Sequence, residues 1–216
     1  RWAVGMRMKK PNMTAVREAY SSGKILRLHL LRCTIQAITP ADYHWMIALC
    51  RERNLRTIQS WPSCNKVPVS DSYIQEATEA LKGLLAQKKS MNKKEISKEF
   101  STLGLPSDTA HLTPVILRGE INGLLCSGAM EGKDATWALT SEWVKAPYDS
   151  AFTTTEALTL LARKYFRSHS PASFEDFCWW AGIPITQSRQ AIQSISAELE
   201  TIKIGNQEMF VYKGNV

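Results

Sequence analysis

A short stretch near the N-terminus carries side chains suited to binding phosphates and bases. In the segment ILRLHLLRCTIQAI, polar residues alternate with apolar ones at Arg27, His29, Arg32, Thr34 and Gln36. Alternation is typical of strands, so Arg27 and His29 are expected on one side of a hairpin, and the other three on one side of its second strand. Arginine forks bind phosphates, and neutral side chains hydrogen-bond in a groove. The pattern favours DNA contact; the alternative is an interior network that braces the hairpin.

Positive charge is concentrated in the same region. The chain has 216 residues and a net charge of +7, and residues 1–60 hold eleven Lys and Arg against three Asp and Glu. Residues 61–150 and 151–216 are close to neutral. Clustered cations neutralise successive phosphates and release counterions. We therefore expect double-stranded DNA as the partner, with Arg17 and Lys24 adding to the hairpin contacts; a basic surface that only aids solubility is the alternative.

Two further groups are candidates for nucleic-acid contact in the last third of the chain. Gln187 and Arg189 lie at the start of a predicted helix, from which such side chains can reach base edges, although a solvated surface explains them slightly better. Trp179 and Trp180, close to Phe177, could stack on an unpaired base. Adjacent aromatic residues on a short helix are more often core, so we assign these three to the core.

Several other kinds of site are not indicated. The five cysteines are widely spaced without a Cys-x-x-Cys pair, which favours buried thiols over a disulfide framework or a metal site. The chain shows neither a Ser/His/Asp order nor a phosphate-binding glycine loop, and we predict no cofactor. It also lacks an apolar run of about 18 to 20 residues and a signal peptide. We expect a cytoplasmic protein that does not enter a membrane; its oligomeric state stays open.

The elements that would position these residues form a repeat. Apolar spacing predicts three helices followed by a hairpin, and the same order then recurs. This is the winged-helix pattern, in which a third helix can enter the major groove and the hairpin lies against the backbone. The predicted fold is mainly α with short β-hairpins (α+β), arranged as tandem winged-helix domains. The predicted helices are 71–88, 93–103 and 106–124 in the first repeat, and 153–168, one beginning at Ser173, and 186–199 in the second.

The N-terminal region fits the same unit cut short. Residues 13–20 resemble the end of a third helix, two strands follow, and residues 42–53 form a further helix. The first two helices of that unit are missing, so we expect the sequence to begin inside its first domain. Residues 56–70 are predicted to be a linker. The resulting domains are 1–60, 61–150 and 151–216.

Two motifs resemble those of the winged-helix DNA-binding family that includes the AlkZ-like DNA glycosylases. The resemblance covers most of the chain, and the segment RGEINGLLCSG lies between the two motifs. In the first motif, Gln36 stands where relatives often show His. The matched residues are Arg27, Arg32, Thr34, Pro40, Asp42 and Trp45 in the first, and Tyr165, Phe166, Ser168, His169, Pro171, Ala172, Asp176, Phe177, Trp179, Trp180 and Gly182 in the second.

The resemblance implies tandem winged helices with a concave DNA-binding surface. It also implies hydrolysis of the N-glycosidic bond of alkylated or crosslinked bases, with a Gln-x-Gln or Gln-x-Asp motif that positions the catalytic water. These 216 residues contain neither form of that motif, so we assign no catalytic residue and expect the motif upstream of Arg1. Two hypotheses follow: a DNA-repair glycosylase without its catalytic motif, or a noncatalytic DNA-binding or transcription-regulatory protein.

Overall fold

A computed structural model describes residues 2–61, 66–130, 132, 134–145 and 152–215. The chain is mainly helical with small antiparallel sheets, which confirms the predicted α+β class. It divides into two compact units, Arg1–Tyr148 and Asp149–Val216. The division into three repeat-based domains stays a prediction. Among the described residues, no helix combines the length and apolar character that crossing a bilayer requires.

The N-terminal part of the first unit contains a two-stranded hairpin between helices. Strands β1 (Leu26–His29) and β2 (Ile35–Ile38) are antiparallel, with Leu28 opposite Gln36. Asn12 caps helix α2 by accepting hydrogen bonds from the N–H groups of Thr14 and Ala15. The elements are α1 (Trp2–Met6), α2 (Met13–Ser21), β1 (Leu26–His29), β2 (Ile35–Ile38) and α3 (Pro40–Gln59).

The rest of the first unit surrounds a three-stranded sheet. The strand order is β3 (Met91–Asn92), β5 (Thr136–Leu139), β4 (Leu125–Ser127). Strand β3 was not predicted from the sequence, because two residues are too few to show alternation. Polar side chains cap the N-termini of two helices. Asn92 forms a capping box with Glu95 at the helix Lys93–Thr102, and Asp108 caps the helix Thr109–Ile121. The elements are α4 (Asp71–Lys88), β3 (Met91–Asn92), α5 (Lys93–Thr102), α6 (Thr109–Ile121), β4 (Leu125–Ser127), β5 (Thr136–Leu139) and α7 (Thr140–Trp143).

Helix α6 is the central element of the first unit. Its residues Leu112, Val115 and Ile116 belong to a core shared with α4, α5 and the sheet. Further along the same helix, Leu117 and Ile121 pack with Cys33 and Ile58. The helix is therefore buried between the N-terminal hairpin region and the three-stranded sheet.

The linker predicted over residues 56–70 was wrong in its first part, because α3 continues to Gln59. The sequence predicts a helix that ends at Arg53, because the stretch from Arg56 onward is polar and has no helical period. The buried face nevertheless continues through Cys50, Asn54 and Ile58, which are spaced four residues apart. The buried amide of Asn54 interrupts the apolar pattern, and the last turns of α3 were therefore not predicted from the sequence. The second part of the predicted linker includes residues 62–65, which lie outside the described residues.

The second unit repeats the order of three helices and a hairpin. Capping boxes at Thr153 and Ser173 start its first two helices, and Gly182 in the left-handed conformation ends the second. Arg163 donates two hydrogen bonds, of 2.7 and 2.6 Å, to Glu198 and lowers the pKa of that carboxyl. The elements are α8 (Thr154–His169), α9 (Phe174–Ala181), α10 (Ile185–Ser194), β6 (Leu199–Ile204) and β7 (Gln207–Tyr212).

Candidate nucleic-acid interface

The β1–β2 hairpin is anchored to the rest of the first unit along β1. The backbone N–H of Arg27 donates to Ser127 Oγ at 2.8 Å, and the backbone N–H of His29 donates to Glu120 Oε2 at 3.2 Å. Both acceptors are buried. These bonds occupy the outer edge of β1, so the hairpin is held as a fixed part of the unit.

The tip of the hairpin adopts a backbone conformation that is unusual for non-glycine residues. Arg32 and Cys33 have φ angles of 55° and 53°. A left-handed residue of this kind costs roughly 1 to 2 kcal/mol, so the surrounding contacts must hold it in place. Asn54, only 2% exposed, donates from Nδ2 to the carbonyl of Leu30 at 2.8 Å. These contacts hold the tip, which presents an exposed Arg32.

The predicted alternation of Arg32, Thr34 and Gln36 on one strand was wrong. Arg32 lies in a 3₁₀ turn (Leu31–Cys33), and Thr34 precedes β2. Thr34 Oγ1 and Gln36 Nε2 both donate to the carbonyl of Leu31, at 3.1 and 3.3 Å. They thus brace the tip, because a tight turn leaves backbone carbonyls that side chains must satisfy.

His29 belongs to an interior polar network, as our alternative interpretation of the hairpin proposed. Its Nδ1 lies 2.5 Å from Glu120 Oε2, and the other oxygen of Glu120 accepts from Trp137 Nε1 at 2.6 Å. Glu120 is 5% exposed. Neither Glu120 nor Trp137 was predicted as part of this network. The only available signal was a carboxylate in the apolar helix α6.

The remaining predicted cations of this region face solvent or are half-buried. Arg17, Lys24 and Arg32 are exposed, and Arg27 is half-buried. Arg17 lies on α2, Lys24 precedes β1, and Arg27 and Arg32 lie in the hairpin. Four of the predicted phosphate-binding cations thus lie on α2, on the hairpin or on the segment between them.

The predicted contact residues of α10 lie in the second unit. Gln187 is half-buried, whereas Arg189 is exposed and its guanidinium lies 5.7 Å from the ring centroid of Phe174. The neighbouring Gln190 donates to Thr155 Oγ1 at 3.0 Å. Part of the polar surface of α10 is therefore engaged within its own unit.

The assignment of all three aromatic residues of α9 to the core was wrong for Trp179. Phe177 is fully buried, whereas Trp179 is 74% exposed. Trp180 is half-buried, and its ring packs against that of Tyr165 with 4.9 Å between the ring centroids. Helical geometry explains the difference, since adjacent residues on a helix point about 100° apart and cannot both face one core.

Replacing Trp179 by Ala should change the free energy of unfolding of the second unit by less than about 0.5 kcal/mol, because exposed side chains contribute little packing. Chemical denaturation followed by circular dichroism measures this. Trp180→Ala is the matched control and should be clearly more destabilising, since its ring is packed. Equal losses for the two variants would show that Trp179 is buried in solution.

Burial raises the pKa of two cysteine thiols and of three tyrosine phenols among the described residues. Desolvation raises the pKa of Cys50 and that of Cys126 to about 12. Tyr43 also has a raised pKa, and its hydroxyl donates to the carbonyl of Gly123 at 2.9 Å. Cys178 is half-buried, while Cys64 lies outside the described residues. Within the described residues, no group of three His, Cys, Asp or Glu side chains is arranged to hold a metal ion.

Comparison with known proteins gives one family and a similar fold. Residues 1–215 match the family described as "DNA glycosylase AlkZ-like". The solved structure of the Streptomyces sahachiroi DNA glycosylase AlkZ aligns with a TM-score of 0.68 at 20% identity, over 98% of this chain and 58% of that chain. The chain thus spans little more than half the length of this structural relative. The curated proteins yielded no match.

Proposed function

Because the chain belongs to the AlkZ-like DNA glycosylase family, we propose that it provides the DNA-binding surface of a repair glycosylase. The substrate would be double-stranded DNA with an alkylated or crosslinked base, and the reaction would be hydrolysis of the N-glycosidic bond. The observation that carries the DNA-binding part is the exposed Arg32 at the hairpin tip, in a segment with a large excess of positive charge.

The order of elements supports tandem winged helices. In each repeat, three helices precede an antiparallel hairpin: α4, α5, α6 and β4–β5, then α8, α9, α10 and β6–β7. The third helices of the two repeats differ in their exposure to solvent. Helix α6 is buried along most of its length, while α10 exposes Thr186, Arg189 and Gln193. A buried helix cannot enter a groove. We therefore assign the DNA contacts of the first unit to α2 and the hairpin rather than to α6.

Phosphate contacts would provide most of the affinity. Arg32 and Lys24 can each neutralise a phosphate, and such contacts fix the position of a protein on the duplex without reading its sequence. His29, Thr34 and Gln36 would then act as positioning residues, because their side chains hold the hairpin. DNA contact through Arg27, Gln187 and Arg189 remains part of the proposal.

A noncatalytic DNA-binding or regulatory role is the alternative. Release of a methylated base from alkylated duplex by the full-length protein separates the two functions. Release above the spontaneous rate supports the glycosylase, and duplex binding without release supports the alternative.

Arg32→Ala should weaken duplex binding at least about tenfold, because a charge-assisted hydrogen bond contributes about 1.5 to 3 kcal/mol and 1.4 kcal/mol corresponds to a factor of ten. Fluorescence anisotropy with a labelled duplex measures the affinity, and thermal melting checks the fold. Lys98→Ala is the matched control, since Lys98 is an exposed cation on α5. Unchanged affinity for Arg32→Ala would refute the proposed contact.

A further inference from the structure

A small pocket opens on the first unit at the start of helix α5, and the proposed DNA contacts do not use it. Its volume is about 250 Å³, slightly below the range of about 300 to 1,000 Å³ that is typical of ligand pockets. Lys93, the first residue of α5, contributes to its wall. The apolar and aromatic side chains that line the pocket are Trp61, Ile116, Leu117 and Trp137.

Lys93 is a half-buried lysine without a carboxylate to balance its charge. Among the described residues, Lys82 is the other half-buried lysine, and it pairs with Glu79 at 3.0 Å. Within the same part of the chain, no acid forms an ion pair with Lys93. Taking a charge partly out of water without such a partner is unfavourable, so this environment favours the neutral amine.

The titratable groups around Lys93 do not supply the missing negative charge. Glu120 lines the same pocket, but its two oxygens accept hydrogen bonds from His29 and Trp137. Glu95, in the first turn of α5, accepts at 2.7 Å from the backbone N–H of the residue that caps the helix. His29 also lines the pocket, and its ring can only add positive charge.

The hydrogen bond of Lys93 is compatible with a neutral amine that has a free lone pair. Lys93 Nζ donates to Thr113 Oγ1 at 2.9 Å, and the hydroxyl of Thr113 donates to the carbonyl of Thr109 at 2.6 Å. A hydroxyl has a single O–H donor, so Thr113 can only accept from Lys93. The neutral amine keeps an N–H for this bond, and its lone pair stays available to form a covalent bond.

Burial and the position on the helix act in the same direction. Desolvation lowers the pKa of Lys93. The N-terminal end of a helix also carries a partial positive charge, which disfavours a cation at the first residue. At neutral pH the neutral fraction of this amine is therefore larger than that of an exposed lysine, and only the neutral form is a nucleophile.

We propose that Lys93 is a nucleophilic lysine that forms an imine with a small apolar aldehyde bound in this pocket. The lone pair of Nζ attacks the carbonyl carbon, the aldehyde oxygen leaves as water with two protons of the amine, and a C=N bond forms. The apolar side chains of the wall and the small volume favour a small apolar aldehyde over a bulky one. The inference goes beyond the proposed function, since the reaction involves neither DNA nor a glycosidic bond.

Benzaldehyde is the probe, and sodium borohydride fixes the imine as a stable amine by delivering a hydride to its carbon. Peptide mass spectrometry then compares the labelling of Lys93 with that of Lys94 in the same folded molecules. Lys94 is the matched control, because it is exposed and does not line the pocket. At about pH 7, Lys93 should be labelled at least about fivefold faster, since more of it is neutral. Equal or slower labelling of Lys93 would overturn the proposal.

The pH and the fold should both control this preference. It should shrink at about pH 11, where exposed lysines with a pKa of about 10.4 are also largely neutral. It should disappear in concentrated urea, because unfolding removes the pocket. Pyrene-1-carbaldehyde, a bulky aldehyde, should label Lys93 no faster than Lys94. A preference for Lys93 that persists in urea or with the bulky aldehyde would contradict the role of the pocket.

Discussion

Glu120→Ala is expected to lower the free energy of unfolding of the first unit by about 3 to 5 kcal/mol. The buried carboxylate accepts hydrogen bonds from the backbone N–H and the ring of His29 and from the indole of Trp137. Alanine leaves these three donors without their acceptor, and each unsatisfied buried group costs about 1 to 3 kcal/mol. Urea unfolding followed by fluorescence measures the change.

Glu76→Ala is the matched control for this variant. Glu76 is exposed on α4, so its loss should change the stability by less than about 0.5 kcal/mol. Glu120→Gln keeps an acceptor oxygen and should fall between the two. A loss below about 1 kcal/mol for Glu120→Ala would mean that His29 and Trp137 find water as an equivalent partner, and that the network does not brace the hairpin.

Local signals predicted most of the secondary structure. The helix over residues 71–88 was predicted at the observed bounds, because Ser70 supplies a cap and the apolar residues follow a helical period. The same signals placed the helix that begins after Ser173. These features involve neighbours within about four positions, and such interactions can be derived from one sequence.

The wrong predictions concern residues whose hydrogen-bond or packing partners are distant in the sequence. Asn54 looked like the polar end of a helix, yet it is buried because it donates to Leu30 at the hairpin tip. Spacing alone does not bring His29, Glu120 and Trp137 together, since they lie on three separate elements. Trp179 was wrongly assigned for a different reason. Adjacent aromatic residues indicate a buried side chain, but they do not indicate which side of α9 faces the core.

Neutralising four cations of the N-terminal region should remove most of the salt dependence of duplex binding. The variant carries Arg17→Gln, Lys24→Gln, Arg27→Gln and Arg32→Gln. If each cation neutralises one phosphate, the logarithm of the binding constant falls with the logarithm of the salt concentration with a slope of about −3.6. The wild-type protein should therefore lose affinity on the order of a hundredfold between about 50 and about 200 mM salt. Anisotropy titrations at several salt concentrations, with duplexes of unrelated sequence, measure the slope and the selectivity.

A second fourfold variant with the same change in net charge separates local contacts from the overall charge. Lys66, Lys94, Lys98 and Lys145 are exposed and lie outside the N-terminal region, so their replacement by Gln should leave the slope nearly unchanged. Equal loss in both variants would indicate that only the net charge matters. A slope that falls for the N-terminal variant alone, by similar amounts on all duplexes, follows from phosphate contacts by α2 and the hairpin, because phosphates are the same in every sequence.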